Sequence, residues 1–421
     1  MAWEFFTEPD FQAELDWIDA FVRDEVEPLE RVLGSPYDLT DPLFGKLVRP
    51  LQAQVKARGL WACHLGPELG GKGYGQLKLA LMNEKFGRAR FGPIVFGAQA
   101  PDTGNSEILA HYGTPEQKKT FLEPLLANEI VSCFSITEPQ GGADPLVFTT
   151  KAELDGEHWV LNGEKWFASN ARYAAFFIFM AVTDPDAAPH HRMSMFIVPA
   201  GTPGVEIVKN YGFYDEGEGS HAHVRLTNVR VPLDGMLGGR GEAFTVAQVR
   251  LSGGRMHHAM RTLAQATRAF EMMCERALSR VTKGEHLSQK QMVQEKIADS
   301  WIELRQFRLL ILETAWLADQ NKDWKAVRKN VSAVKAIMPK VLHDIAARAL
   351  HIHGSLGISH DMPFAAWVIN SFHVGLADGP TEVHKVTVAR EVLKDFRPAA
   401  SVFPDYMKDD LDAAARRKFG L

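Results

Sequence analysis

The chain has 421 residues, 46% hydrophobic and 24% charged, with a formal net charge of −5. That is material for about two to three soluble domains, and it lacks the basic face that nucleic-acid binding requires. Lys and Arg runs are short and scattered, which argues against a polybasic membrane tether. The longest strongly apolar run, Ala174 to Val182, falls far below the ~20 residues of a membrane-crossing helix. Cys63, Cys133 and Cys274 form no C-x-x-C pair, so a disulfide framework and a structural zinc are unsupported. The acidic, amphipathic start resembles neither a signal peptide nor a transit peptide, and the expected compartment is the cytoplasm.

Residues 1–130 read as a helical domain. Phe11, Leu15, Ile18, Phe21 and Val22 recur at helical spacing, and Leu77 to Lys85 predicts a further helix. The Gly-rich stretch Pro67 to Gly73 lacks G-x-G-x-x-G spacing and a preceding buried strand, so it reads as a plain loop. Thr114-Pro115 reads as a turn with Pro at the first helical position.

Residues 131–241 change to short β-type runs: Lys151 to Leu154, His158 to Leu161, Phe176 to Val182, Met193 to Val198, Val205 to Val208 and His223 to Val231. Asp155-Gly156, Asn162-Gly163 and Pro203-Gly204 read as turns between them, and the spacing predicts an antiparallel sandwich or barrel. Within this part, Phe134 to Asp144 reads as a strand end opening into a tight loop, and Trp159 to Asn170 as an Asn-Gly turn followed by a strand. Residues 242–421 return to helical periodicity, with candidates near 244–281, 288–320, 324–353 and 380–395, and predict a four-helix bundle.

The pair Phe134–Asp144 and Trp159–Asn170 resembles the flavin-binding β segment of the acyl-CoA dehydrogenase family. The Thr of that segment is kept as Thr137, while Phe167 and Ser169 stand where the family carries Trp and Thr. The Gly-Gly-x-Gly loop after Pro67 and the Gly113-Thr114-x-x-Gln117-Lys118 element match the family as well, and the order helical, β, helical is its α+β architecture. The resemblance implies FAD, an acyl-CoA substrate, an electron-transfer flavoprotein as electron acceptor, and a homodimer or homotetramer. The implied reaction removes hydrogens from Cα and Cβ of a thioester. It needs a base, a planar electron acceptor and donors to the thioester carbonyl.

On matched positions, Phe134, Ile136 and Thr137 are implied to line the flavin, with Phe167 and Ser169 at its reactive edge. Arg280 and Thr282 match an Arg-x-Thr that serves the pyrophosphate of a neighbouring subunit's FAD, a task suited to a guanidinium and a hydroxyl. His351 and Ser355 fall in a family Gln-x-x-Gly-Gly-x-Gly that approaches the adenosine end, and Pro380 and Glu382 complete the implied cofactor contacts. His351-x-His353 is too sparse a set to predict a metal site. Arg255 matches an Arg near the CoA end. Ala143 stands where some relatives carry a substrate-contacting Ser, and Ala377 and Gly379 flank the base.

That base is Asp378, in Leu376 to Glu382, where the family reads aromatic-Glu-Gly-Thr. From the residues alone, Asp378 before Gly379-Pro380 reads as a helix cap. The resemblance makes it the catalytic carboxylate, one C–C bond, about 1.5 Å, shorter in reach than Glu. Two further readings stand beside dehydrogenation: a flavin oxidase or monooxygenase on the same fold, and a catalytically silent flavin-binding subunit.

Overall fold

The structure is a computed structural model of the chain and describes residues 6–67, 71–213, 219–321, 323–399, 401–404 and 406–421. Residues 68–70 of the Gly-rich loop therefore lie outside the described residues.

The N-terminal part holds α1 (Pro9–Phe21), α2 (Arg49–Ala57), α3 (Gly75–Phe86), α4 (Gly92–Val95), α5 (Asp102–Tyr112), α6 (Pro115–Gln117) and α7 (Glu123–Ala127). Phe11, Leu15, Ile18 and Phe21 of α1 are buried in a core shared with Phe44, Phe86, Phe91 and Phe96, as their spacing predicts. Thr114 and Gln117 form a capping box with Pro115 at the first turn, so the turn read there starts a helix by satisfying its orphan N–H groups.

The middle part is a single eight-stranded sheet: β1 (Ser132–Ser135), β2 (Lys151–Asp155), β3 (His158–Ser169), β4 (Phe176–Val182), β5 (Met193–Pro199), β6 (Val205–Tyr211), β7 (His221–Pro232) and β8 (Met236–Leu237). Its pairings are antiparallel except at β4, which runs parallel to both β1 and β2. The structure corrects the turn read at Asn162-Gly163. β3 continues through it, and the register against β7 shifts between Leu161 and Gly163. A Cβ on Gly163 would sit 2.6 Å from the Thr150 Cα, so the glycine marks close backbone approach within a bulge, not a reversal.

The C-terminal part holds α8 (Ala243–Ser279), a short hairpin β9 (Val281–Thr282) and β10 (Glu285–His286), α9 (Gln291–Asn321), α10 (Arg328–His353), α11 (Phe364–Leu376), α12 (Thr381–Leu393) and α13 (Lys408–Phe419). The helices α11 and α13 were not read from the sequence. α11 is apolar on most faces, so its period is weak, and it nevertheless lies along α10. Among the described residues no helix is long and apolar enough to cross a membrane.

Side chains from α8 and α9 tie the helical parts together. Arg88, only 5% exposed, bonds Glu27 at 3.1 Å and Glu271 of α8 at 2.8 Å. Arg268 of α8 reaches Glu30 at 3.1 Å. Asp319 of α9 accepts from the Gln76 and Leu77 N–H groups at 2.6 and 2.9 Å, capping α3 from a distant part of the chain.

A buried ion pair holds the loop after β1 to β3. The Lys165 Nζ donates to Glu138 Oε1 at 2.8 Å and to the Ile136 carbonyl at 3.1 Å, with both side chains essentially inaccessible. Burial pushes the Lys165 ammonium down to about 8, against the pull of Glu138. Glu138 also accepts from the Thr149 and Thr150 N–H groups. Lys165→Met strands a buried carboxylate and is expected to lower unfolding free energy by about 3–5 kcal/mol. Urea denaturation with and without the substitution measures this loss.

Candidate active site

Asp378 lies in the turn between α11 and α12, with φ +55°. That left-handed backbone is tolerated best by Gly, Asn and Asp, whose short polar chains bond locally. The cap reading fails here. The N-cap of α12 is Pro380, and no side chain caps that helix. The carboxylate turns inward instead, 18% exposed, with Oδ2 at 3.5 Å from the His258 Nε2 on α8.

The backbone of this turn is clamped from three helices, α8, α10 and α12. Arg255 of α8 donates from Nε to the Asp378 carbonyl at 3.0 Å, and the His384 Nε2 lies 3.3 Å from the same oxygen. Lys335 of α10 donates to the carbonyls of Val374 at 2.5 Å and Gly379 at 3.4 Å. These bonds hold the left-handed residue in place.

Burial alone would push the Asp378 carboxyl up. The His258 ring, the Arg250 and Arg255 guanidiniums and the Lys335 ammonium outweigh it and hold the group below its ordinary range. Burial also drives His258 down to about 4, so at neutral pH that ring is neutral and the standing positive charge comes from the two arginines and Lys335. Lys335 itself is lowered to about 8 by burial. Asp378 is thus an ionised carboxylate in a largely water-excluded, cationic recess, a combination that marks functional carboxylates.

Phe134, Ile136 and Thr137 follow β1 into the loop that Lys165 anchors, and the Trp166 N–H bonds the Thr137 carbonyl at 2.9 Å. Arg250 bridges this wall to the recess: its guanidinium stacks 3.9 Å from the Phe134 ring centroid, and its Nε donates to Asn105 of α5 at 2.9 Å. On β3, Phe167 has φ +51° in a second register shift, between Lys165 and Ala168. The backbone thereby turns the ring outward, 42% exposed and stacked with Tyr211 at 5.5 Å. Ser169 is half-buried at the strand end, paired with His221. His221 in turn meets His373 of α11 at 5.2 Å, with Phe213 against both. Phe167, Ser169 and Asp378 are therefore gathered at one seam between sheet and bundle.

The remaining expected residues lie elsewhere. Arg280 is exposed at the start of the β9–β10 hairpin, whose Lys283 and Gly284 both have positive φ. Its Nη1 is 3.6 Å from where a Cβ on Gly354 would sit, so Arg280, Thr282, His351 and Ser355 cluster at one end of α10. Lys335, nineteen positions before Gly354, marks the Asp378 end. At 1.5 Å per residue the two ends are about 28 Å apart. His351 is exposed and His353 buried, so they do not form a pair facing one site. Pro380 caps α12, Glu382 is exposed in its first turn, and Ala143 is exposed in the loop before Asp144.

Sequence reasoning missed Arg250, His258, Lys335, His373 and Gly254. Two had a readable signal. Lys335 falls on the buried stripe of α10 with Val331, Val334 and Met338, a position where a lysine is almost never found without a task. Gly253-Gly254 sits in the interior of the 37-residue α8, where each glycine costs about 0.5–1 kcal/mol relative to Ala. A Cβ on Gly254 would lie 3.7 Å from Asp378 Oδ2, and both glycines border a cavity of about 120 Å³ beside the carboxylate.

Comparison with known proteins identifies the family. The family descriptions "Acyl-CoA dehydrogenase, N-terminal domain", "middle domain" and "C-terminal domain" match residues 9–129, 133–229 and 241–393. "Probable acyl-CoA dehydrogenase FadE2" of Mycobacterium tuberculosis is 38% identical over 93% of this chain and 93% of its own length. "Acyl-CoA dehydrogenase family member 11" of Gallus gallus is also 38% identical, over 90% of this chain, but the chain spans only 50% of that relative. A solved structure from Mycobacterium abscessus aligns with a TM-score of 0.85 at 37% identity, covering 93% of this chain and 100% of that one. Butyryl-CoA dehydrogenase from Megasphaera elsdenii aligns at 0.79 and 25% identity, covering 93% and 100%. With all three segments matched in order and a full-length relative well above 30% identity, the chain belongs to the acyl-CoA dehydrogenase family.

Proposed function

We propose that this protein dehydrogenates an acyl-CoA thioester between Cα and Cβ, with FAD as cofactor and Asp378 as the base. The observation that carries the reading is the ionised Asp378, held at the seam between the Phe167–Ser169 strand end and the Gly254-lined cavity. The residues fit a flavin. The Phe167 ring is turned out of its strand and open to a flat partner, and the buried Trp166 Nε1 has no partner among the described residues. When bound, FAD supplies a planar hydride acceptor.

Asp378 accepts the proton from Cα at its carboxylate. The resulting substrate anion forms among Arg250, Arg255 and Lys335, whose fixed charges stabilise it without reorganisation. Arg255 and His384 hold the base by its backbone, so its side chain keeps one approach direction. Phe134, Ile136, Thr137, Phe167 and Ser169 serve as the flavin walls. Arg280 and Thr282, with His351 and Ser355 beside them, serve a partner subunit's FAD, since they sit about 28 Å from this chain's own base. A homodimer or homotetramer follows, with an electron-transfer flavoprotein as acceptor and fatty-acid breakdown as setting. Three free cysteines are consistent with a reducing compartment such as the cytoplasm.

Asp378→Asn is expected to retain FAD and fold while slowing flavin reduction by acyl-CoA about 10²–10⁴-fold. Stopped-flow bleaching under anaerobic conditions reads this, and an undiminished rate eliminates the assignment. Because Asp378 is lowered, it stays deprotonated on acidification until below the ordinary carboxylate range. The acid limb of kcat/KM for flavin reduction should therefore contain no Asp378 ionisation between pH 8 and about pH 4. An inflection near pH 6 that vanishes in the Asn variant contradicts the cationic recess. Arg280→Glu should weaken FAD retention about tenfold or more by placing a carboxylate against phosphate. Equilibrium dialysis measures it, and light scattering on the same sample reports whether the oligomer persists.

A further inference from the structure

The cavity beside Asp378 is polar where an alkyl chain would want hydrocarbon. Its lining includes His64, Gln76, Thr103, Glu107, His111 and His257, with Leu65 and Trp324 as its apolar members. His257 is only 8% exposed and its Nε2 has no partner among the described residues. The same holds for both ring nitrogens of His64 and for Gln76 Oε1, each inaccessible to solvent. The two imidazoles stand edge to face at 6.2 Å. Buried polar groups are ordinarily bonded, so a set of them aimed into one cavity awaits a ligand's own polar group.

We propose that the acyl chain this enzyme accepts carries a hydroxyl, bound by His64, His257 and Gln76 in the cavity beyond Asp378. This rests on the acyl-CoA dehydrogenase reading of the same site.

Charge selects a neutral group. Arg250 and Arg261 act on this region and would repel an ammonium. Glu107 on the wall would repel a carboxylate, even though burial pushes it up to about 7. His64 is driven down to about 3 by burial, and His257 well below its ordinary value, so both rings are neutral: His64 offers one donor and one acceptor, and His257 its unpartnered Nε2. A hydroxyl donates and accepts, which matches that pair. No group of three or more His, Cys, Asp or Glu among the described residues could hold a metal ion, which removes the competing use of the histidines. Gly253 and Gly254 open the route. A Cβ on Gly253 would lie 3.8 Å from Glu107 Oε2 and 3.9 Å from the Trp324 ring, and one on Gly254 would lie 3.7 Å from Asp378 Oδ2. At about 120 Å³ the space suits a tail of a few carbons.

The test uses hexanoyl-CoA and its 4-, 5- and 6-hydroxy forms, offered anaerobically to the FAD-loaded enzyme. One hydroxylated isomer should bleach the flavin with kcat/KM at least about tenfold above hexanoyl-CoA, as expected where the site's polar groups would otherwise go unmatched. His257→Leu, or Gln76→Leu if the first fails to fold, should bring that ratio to within about twofold of unity. A hexanoyl-CoA rate at or above all three hydroxylated rates overturns the proposal and leaves the dehydrogenase reading standing. If no thioester bleaches the flavin, that reading falls, and calorimetric binding of the same four compounds decides this one. Tighter binding of a hydroxylated compound by about tenfold supports it, and equal binding overturns it.

Discussion

A single negative charge at Asp378 organises the seam between the sheet and the bundle. A buried carboxylate is unfavourable without opposite charge nearby, and here that charge comes from α8 and α10 together. The same α8 residues have second engagements. Arg250 stacks on Phe134 and bonds Asn105, and Arg255 holds the Asp378 backbone. The charge, the Phe134 strand end and the N-terminal helices are thus positioned by one helix. A shift of α8 would disturb all three at once, which explains why Arg88–Glu271 and Arg268–Glu30 brace it against the N-terminal part.

The two halves of the implied cofactor contacts separate along α10. Lys335 belongs to the base, and Gly354 with Arg280 to the far end. At about 28 Å along that helix, the two groups sit at opposite ends of α10, and the proposal that Arg280 serves a second copy rests on that separation. At the far end, Arg280 is exposed at the start of the hairpin Val281–His286.

The fold was legible because its signals are repetitive. Helical spacing at Phe11 to Val22, and the bundle helices near 244–281 and 324–353, rest on many apolar positions each, so tertiary context does little to alter them. Asn162-Gly163 was misread because an Asn-Gly pair signals a hairpin turn and a bulge equally well, and only the neighbouring Thr150 backbone distinguishes them. Within the candidate site, the segments Phe134–Thr137, Phe167–Ser169 and Asp378 could be picked out because each is a local stretch of chain. The site was not legible where it depends on distant elements. His258, Lys335 and His373 meet Asp378 from three helices, and nothing local in their segments announces a carboxylate. The cavity histidines His64 and His257 are separated by most of two domains' length for the same reason.

An aspartate at position 378 is intelligible in this setting. It reaches about 1.5 Å less far than a glutamate would, and three local features accompany the shorter side chain. The left-handed φ of Asp378 swings the chain inward, a conformation that Asp adopts more readily than a longer residue. Gly254 removes the one Cβ that would face its Oδ2. Ala377 beside it is small. Each of these carries a conformational or packing cost on its own, and each becomes reasonable only if the carboxylate must approach α8 closely. Lengthening the side chain at 378 would push its carboxylate toward α8, which supplies the Arg250 and Arg255 charges beside it, and a Cβ at Gly254 would crowd it further.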